Sequence, residues 1–132
     1  MLLNRLILRL GWLKMTSEGQ FHLMDVVIAE VPYDDGKSFK TRPALVVMMD
    51  GQEAAFYKIT SKYAEKSVQI QKRYFPLEFW REAGLSKASY VDVHRAYVLA
   101  TDYMMQRPPL GKLAPEDRDN LFQFITDLRK NS

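Results

Sequence analysis

From residue 24 onward, the chain alternates short apolar runs with turn residues. Five runs rich in β-branched and aromatic residues predict strands at residues 25–31, 44–49, 54–61, 68–70 and 90–99. The dipeptide Asp50-Gly51 separates the second run from the third and is a strong signal for a two-residue hairpin turn. Because the runs follow one another through short connections, we expect a small antiparallel β-barrel or curled sheet.

Two segments carry helical patterns. Residues 77–83 lie between Pro76 and Gly84 and predict a short helix. A longer helix is predicted from Pro115, because acidic residues occupy its first turn and basic residues its last. The side chains expected to pack on the sheet are Leu121, Phe122, Ile125 and Leu128. The predicted fold class is therefore mainly β, of the α+β type, with a C-terminal α-helix.

The first 14 residues follow a different pattern. The stretch MLLNRLILRLGWLK places its leucine and isoleucine side chains on one helical face, with Arg5 and Arg9 nearly opposite. The arginines interrupt the apolar run, which argues against a secretory signal peptide. A docked amphipathic helix, a membrane-surface helix and a misplaced start remain as interpretations, and we favour the first and the last. We expect an N-terminal extension over residues 1–23, one domain over residues 24–132, and no membrane partner.

Composition narrows the class of protein. The chain has 132 residues, of which 47% are hydrophobic, and it contains no cysteine. A chain of this size can bury a core without disulfides, and it offers no thiolate nucleophile or cysteine-ligated metal. These properties are compatible with a cytoplasmic location.

Positive charge is clustered although the net charge is only +3. Five basic residues and one acid, Glu65, lie in the stretch from Lys58 to Arg73. A second basic group lies in residues 37–42. If the fold brings these segments together, they form a local anion site; otherwise they are solvated loop charges.

The candidate chemistry lies in a hairpin. His22 and His94 do not have a metal-ligand spacing, and no glycine cluster suggests a nucleotide cofactor, so we expect neither a metal nor a cofactor. Arg42 precedes the second predicted strand, whereas Thr60 and Ser61 end the third. A hairpin joined at Asp50-Gly51 places these strand ends side by side. A guanidinium beside hydroxyls suits a phosphate, although an arginine before a strand is also an ordinary surface residue.

Four stretches of the chain together resemble one protein family. They read MDVVIAEVPYDDGKSFKTRPALVVMMDG, YKITS, GLSKASYVDVHRAYVL and LGKLAPED, in this order. They are similar to the MazF/PemK-type toxins of bacterial type II toxin–antitoxin systems, over more than 100 residues from Met24 onward. The RPALV box, in order with the other stretches, is the most specific of these motifs.

The resemblance implies a small SH3-like barrel and a cytoplasmic homodimer that cleaves single-stranded RNA sequence-selectively without a metal. It assigns catalytic roles to Arg42 and Thr60. The 2′-hydroxyl of the RNA would attack the adjacent phosphorus and leave a 2′,3′-cyclic phosphate and a 5′-hydroxyl. It also implies a cognate antitoxin protein as a partner. The residues expected to bind substrate are Lys37, Phe39, Lys40, Ser61 and Lys62, with Phe39 as a stacking platform for a base.

Two other functions fit the same expected fold. One is a binding module without catalysis, which includes a degenerate relative that engages only an antitoxin or another protein. The other is a toxin that poisons gyrase through a C-terminal aromatic and aliphatic tail. The sequence ends in Arg129-Lys130-Asn131-Ser132, which does not resemble such a tail.

Overall fold

A computed structural model describes residues 21–32, 37–101 and 108–131. Its strands form one antiparallel sheet in the order β4-β5-β3-β2-β1-β6. The strands are β1 (Asp25–Pro32), β2 (Phe39–Asp50), β3 (Glu53–Thr60), β4 (Tyr74–Pro76), β5 (Tyr90–Ala100) and β6 (Gly111–Lys112). The helices are α1 (Val68–Gln71) and α2 (Pro115–Lys130). The mainly β, antiparallel fold with a C-terminal helix is confirmed, but hydrogen bonds do not close the sheet into a ring within the described ranges.

The β2–β3 hairpin turns where the sequence predicted, but its two turn residues are Gly51 and Gln52 rather than Asp50 and Gly51. Asp50 pairs with Glu53 across Gly51 and Gln52, and Gly51 has a φ of 58°. Glycine adopts this left-handed conformation without the steric cost that other residues incur. The hairpin sets the register of the central strands, in which Ala44 pairs with Lys58.

Two local predictions are wrong. Residues 68–70 begin helix α1 instead of forming a strand, and Ser67 caps this helix by accepting a hydrogen bond from the Ile70 N–H at 3.3 Å. Val68 and Ile70 are exposed, so two apolar residues in alternation did not mark a buried face. Residues 78–84 form hydrogen-bonded turns rather than the helix predicted at 77–83, since the segment ends at Gly84, which has a φ of 85°.

The sheet separates two apolar clusters. One contains Leu45, Tyr57, Ile59 and Val91 together with Leu121 and Ile125 of α2. The other contains Phe21, Val27, Ala29, Val46 and Phe56. Because successive side chains of a strand point to opposite faces, α2 covers one face only.

Helix α2 packs through a slightly different set of side chains from the one predicted. Leu121 and Ile125 are buried, and the ring of Phe124 lies 5.5 Å from that of Phe75 on β4. Phe122, which the periodicity assigned to the packed face, is exposed. The packed face is therefore rotated toward Phe124.

Several sequence predictions concern residues outside the described ranges. The helix predicted over residues 1–14 and most of the polar loop around residues 33–37 belong to this group. The division of the chain at residue 23 stays a prediction; Phe21 and Leu23, just before that boundary, contact the second apolar cluster. Neither α1 nor α2 has the length and hydropathy needed to cross a membrane.

Candidate nucleic-acid interface

The start of β2 and the end of β3 meet at one end of the sheet. Since Ala44 pairs with Lys58 in an antiparallel ladder, Arg42 lies at the level of Thr60. Both residues line a cleft of about 240 Å³. The expectation that the hairpin brings these strand ends together therefore agrees with the geometry, while a catalytic role for either residue stays a prediction.

Thr60 is held in a defined orientation. It is 7% exposed, and its Oγ1 accepts a hydrogen bond from the Lys62 N–H at 3.1 Å. This contact uses one lone pair of the oxygen and leaves the hydroxyl hydrogen free to donate. Arg42 is half-buried and forms no ion pair with any carboxylate of the described residues. The cleft thus offers a hydroxyl donor and an uncompensated guanidinium.

The cleft is positively charged. Within the described ranges, its lining includes the basic side chains of Lys40, Arg42, Lys62 and Lys87 and no acidic side chain. Ser61, Ser86 and Ser89 add hydroxyl groups to the same lining. Such a concentration of cations and neutral donors favours an anion, above all one with several oxygen acceptors.

The other predicted substrate residues divide into two groups. Lys40, Ser61 and Lys62 line the cleft. Phe39 is 58% exposed at the beginning of β2 and Lys37 is also exposed, but neither belongs to the cleft lining. A role for Phe39 as a stacking platform therefore concerns a ligand that extends beyond the cleft.

Sequence reasoning missed the segment of residues 85–89. This segment follows the turns that end at Gly84 and supplies Leu85, Ser86, Lys87 and Ser89 to the cleft. The sequence motif around it indicated strand β5 but gave no sign that the residues before the strand approach Arg42. Only the tertiary arrangement of the turns brings this segment beside the hairpin.

Tyrosine side chains lie beside the cleft and were also missed. The Tyr63 and Tyr90 rings stack with their centroids 4.5 Å apart, and Tyr90 pairs with Thr60 across β3 and β5. Burial raises the pKa of the Tyr74 hydroxyl, the Asp92 carboxylate raises it further, and the Arg42 guanidinium lowers it. The positive field of Arg42 therefore reaches strand β4.

The described residues contain no group of three or more histidine, aspartate, glutamate or cysteine side chains placed to hold a metal ion. His22 lies near Asp25, with 3.9 Å between the ring nitrogen and the carboxylate. His94 donates its backbone N–H to Asp92 at 3.0 Å.

The similarity of this chain to known proteins is structural. No protein-family model matches the sequence, and no curated protein sequence matches it. Among solved structures, the Mycobacterium tuberculosis toxin MazF-mt6 is similar, with a TM-score of 0.55 and 17% sequence identity. The similarity covers 78% of this chain and 93% of that chain. The sheet order, the C-terminal helix and this likeness together show that the chain has a MazF-like fold.

Proposed function

We propose that this chain is a toxin of a type II toxin–antitoxin system that cleaves single-stranded RNA without a metal ion. The observation that carries the proposal is the meeting of Arg42 and Thr60 in one cleft, where the lining residues that the structure describes include four basic side chains and no carboxylate. The MazF-like fold and the motifs around the RPALV box support the same activity. An antitoxin protein and a second copy of the chain belong to the proposal as partners.

In the proposed reaction, the RNA itself supplies the nucleophile. The 2′-oxygen attacks the adjacent phosphorus as it loses its proton, the bond from phosphorus to the 5′-oxygen breaks, and that oxygen leaves as a hydroxyl after gaining a proton. The other product is a 2′,3′-cyclic phosphate. Negative charge increases on the non-bridging oxygens in the transition state, where fixed hydrogen-bond donors stabilise it most effectively.

Arg42 and Thr60 have different roles in this scheme. The Arg42 guanidinium contributes a permanent charge and several donors in one plane, which fit the oxygens of the phosphorane. A guanidinium keeps its proton at neutral pH, so Arg42 acts by stabilising charge rather than as a general base. The Thr60 hydroxyl, oriented by Lys62, donates to a non-bridging oxygen.

The first test is cleavage of a long single-stranded RNA in EDTA. We expect discrete fragments that end in 2′,3′-cyclic phosphate and 5′-hydroxyl groups, detected by end-labelling. After the cut site is mapped, an oligonucleotide with a 2′-deoxyribose on the 5′ side of the scissile phosphate should resist, because it lacks the nucleophile. The matched control carries the same deoxyribose one nucleotide away and should be cut.

Two outcomes would contradict the proposal. One is an intact RNA after long incubation with the folded protein, which would leave a binding module as the function. The other is cleavage of the deoxy-substituted oligonucleotide at the same position, which would require a nucleophile other than the 2′-hydroxyl.

A further inference from the structure

A second basic cleft lies on the same molecule and is larger than the first. Its volume is about 350 Å³. Four of its lining side chains carry fixed positive charge, namely Lys58, Lys66, Arg73 and Arg95. Asp92 is the one carboxylate among the lining residues that the structure describes, and Tyr74 and Tyr97 also belong to the lining. The cleft therefore has an excess of positive charge, which attracts the phosphate groups of a nucleic acid.

Strand β3 connects this second cleft to the cleft of Arg42 and Thr60. Lys58 lines the second cleft, Thr60 lines the first, and the two residues lie on one face of β3 about 7 Å apart along the strand. That separation is similar to the distance between successive phosphates of an extended nucleic-acid strand. Tyr74 of the second cleft lies within the electrostatic reach of Arg42. The two clefts are therefore neighbours on one face of the sheet.

Two basic residues of the second cleft, Lys58 and Arg95, lie on strands β3 and β5, whereas Lys66 and Arg73 lie in the turns that flank α1. The Arg73 carbonyl accepts a hydrogen bond from the Val93 N–H at 3.0 Å, which fixes the residue against β5. Lys66 immediately precedes Ser67, the capping residue of α1. The Arg95 guanidinium lies 4.8 Å from the centroid of the Tyr97 ring.

The charges of the second cleft remain largely uncompensated. Lys58 pairs with Asp92, whose carboxylate lies 3.5 Å from its Nζ. Lys66 and Arg73 have no ion-pair partner among the described residues. Because the described part of the lining holds one acid and four bases, it keeps a net positive charge after Lys58 pairs with Asp92. Such a site attracts phosphate groups in a way that weakens as salt increases.

We propose that the second cleft is a phosphate-binding subsite for the same RNA strand that passes through the cleft of Arg42 and Thr60. This inference rests on the proposed function, since it assigns the second cleft to that substrate. Lys66 and Arg73 contact the phosphates that flank the scissile one, while Lys58 lines the second cleft two residues before Thr60. The subsite positions the strand through its backbone and adds affinity that does not depend on base sequence.

The test is the salt dependence of binding by the variant Lys66→Gln/Arg73→Gln. The probe is a fluorescein-labelled, mixed-sequence single strand of 2′-O-methyl RNA, which cannot supply a 2′-hydroxyl nucleophile. Its affinity is measured by anisotropy over a range of salt concentrations. For a single strand, each lost phosphate contact reduces the steepness of log binding constant against log salt concentration by about 0.7. We therefore expect the slope of the double variant to be shallower than that of the wild type by about 1.4.

A charge-matched control separates the subsite from the overall charge of the protein. The variant Arg118→Gln/Lys130→Gln removes the same charge from α2, outside the linings of both clefts. We expect it to keep the wild-type slope and, like the test variant, the wild-type thermal unfolding curve. If Lys66→Gln/Arg73→Gln does not fold, the single variant Lys66→Gln replaces it, with an expected loss of about 0.7 in slope.

Three results would overturn the proposal of a phosphate-binding subsite. In the first, the test variant Lys66→Gln/Arg73→Gln keeps the wild-type slope. In the second, the control variant on α2 loses as much slope as the test variant. The third is an unchanged RNA slope accompanied by lost affinity for a polyglutamate peptide, which would assign the cleft to an acidic protein segment. A protein that binds the probe with the expected slopes but cuts no RNA would refute the proposed function and leave the subsite in place.

Discussion

At the scale of the residue, Asp117 shows how a buried carboxylate supports residues 85–89, the segment that lines the cleft of Arg42 and Thr60. Asp117 is 1% exposed. Its carboxylate accepts hydrogen bonds from the N–H groups of Glu78 at 3.1 Å and Phe79 at 2.9 Å. These contacts join the first turn of α2 to the turns of residues 78–84, which lead into the cleft segment of residues 85–89. Asp117 therefore supports the position of a segment that is distant from it in sequence.

Replacement of Asp117 should destabilise the protein. Asp117→Ala leaves two N–H groups without their charged acceptor, and we expect the free energy of unfolding to fall by about 2–3 kcal/mol. The control is Asp119→Ala, because Asp119 makes only an exposed ion pair with Arg118. That change should cost less than about 1 kcal/mol. Urea unfolding measures both, and equal losses for the two variants would show that the buried contacts contribute nothing.

Tyr57 predicts a specific loss of stability at alkaline pH. Burial raises the pKa of Tyr57 from 10.0 to about 12 in the folded protein. Between these values the unfolded chain releases the phenolic proton and the folded protein retains it, so stability falls as pH rises from 10 to 12. The loss should be about 2–3 kcal/mol, and it should be absent below pH 10.

The variant Tyr57→Phe isolates this contribution. Because phenylalanine has no phenolic proton, the free energy of unfolding of Tyr57→Phe should decline less than that of the wild type over the same pH interval. Lysine titration affects both proteins equally and cancels in the difference. Parallel pH profiles for the two proteins, measured by urea unfolding, would refute the assignment to Tyr57.

At the scale of the element, two glycines allow β6 to cross the turns of residues 78–84. A Cβ added at Gly84 would lie 2.2 Å from the Leu110 carbonyl oxygen, and one added at Gly111 would lie 2.6 Å from the Ala83 carbonyl oxygen. The two backbones therefore approach each other too closely for any side chain. This crossing also positions residues 85–89, which follow directly and line the cleft.

Alanine substitutions at Gly51 and Gly84 should separate the energetic cost of backbone strain from that of steric clash. Gly84 and Gly51 have φ angles of 85° and 58°, but a Cβ at Gly51 meets no atom within 4 Å. We expect Gly51→Ala to cost about 1–2 kcal/mol through its backbone conformation alone. Gly84→Ala should cost clearly more, because its Cβ also strikes backbone. Thermal unfolding of the two variants gives the comparison, and an equal loss would show that the crossing relaxes freely.

The elements that could be predicted are those whose signals are local. The hairpin at Gly51 and helix α2 each depend on a few adjacent residues, and the position of Arg42 beside Thr60 follows from the hairpin. Helix α1 could not be predicted, because Val68 and Ile70 imitate a short strand. Strand β4, which has only three residues, was not predicted either. The cleft segment of residues 85–89 has no local signal in the sequence, because contacts between distant parts of the chain place it beside Arg42. Three basic residues of the second cleft, Lys58, Lys66 and Arg73, belong to the basic cluster that the sequence indicated, whereas Arg95 joins them only through the pairing of β5 with its neighbours.

At the scale of the whole molecule, the two clefts are built on a sheet that carries an apolar cluster on each face. One face packs against α2 through the larger apolar cluster. Along β3, the residues Tyr57 and Ile59 of that cluster alternate with Lys58 and Thr60, which line the two clefts. The chain as a whole carries a charge of only +3. Its affinity for RNA should therefore come from the local basic clefts rather than from its overall charge.

The central claim is that Arg42 and Thr60 act on the same phosphate. Single-turnover cleavage of one mapped RNA oligonucleotide should be measured for Arg42→Ala, Thr60→Val and the double variant. The substitution Thr60→Ser restores the hydroxyl, and the pair Arg118→Ala and Thr126→Val on α2 provides matched controls. All variants are compared at equal fractions of folded protein.

We expect Arg42→Ala to slow cleavage by about 100-fold or more, because it removes the principal stabiliser of transition-state charge. Thr60→Val should also lose activity and Thr60→Ser should keep most of it, whereas the controls on α2 cleave as the wild type does. Since the two groups serve one phosphate, the double variant should lose much less than the product of the two single losses. Wild-type cleavage by Arg42→Ala, or losses that multiply fully in the double variant, would contradict the account.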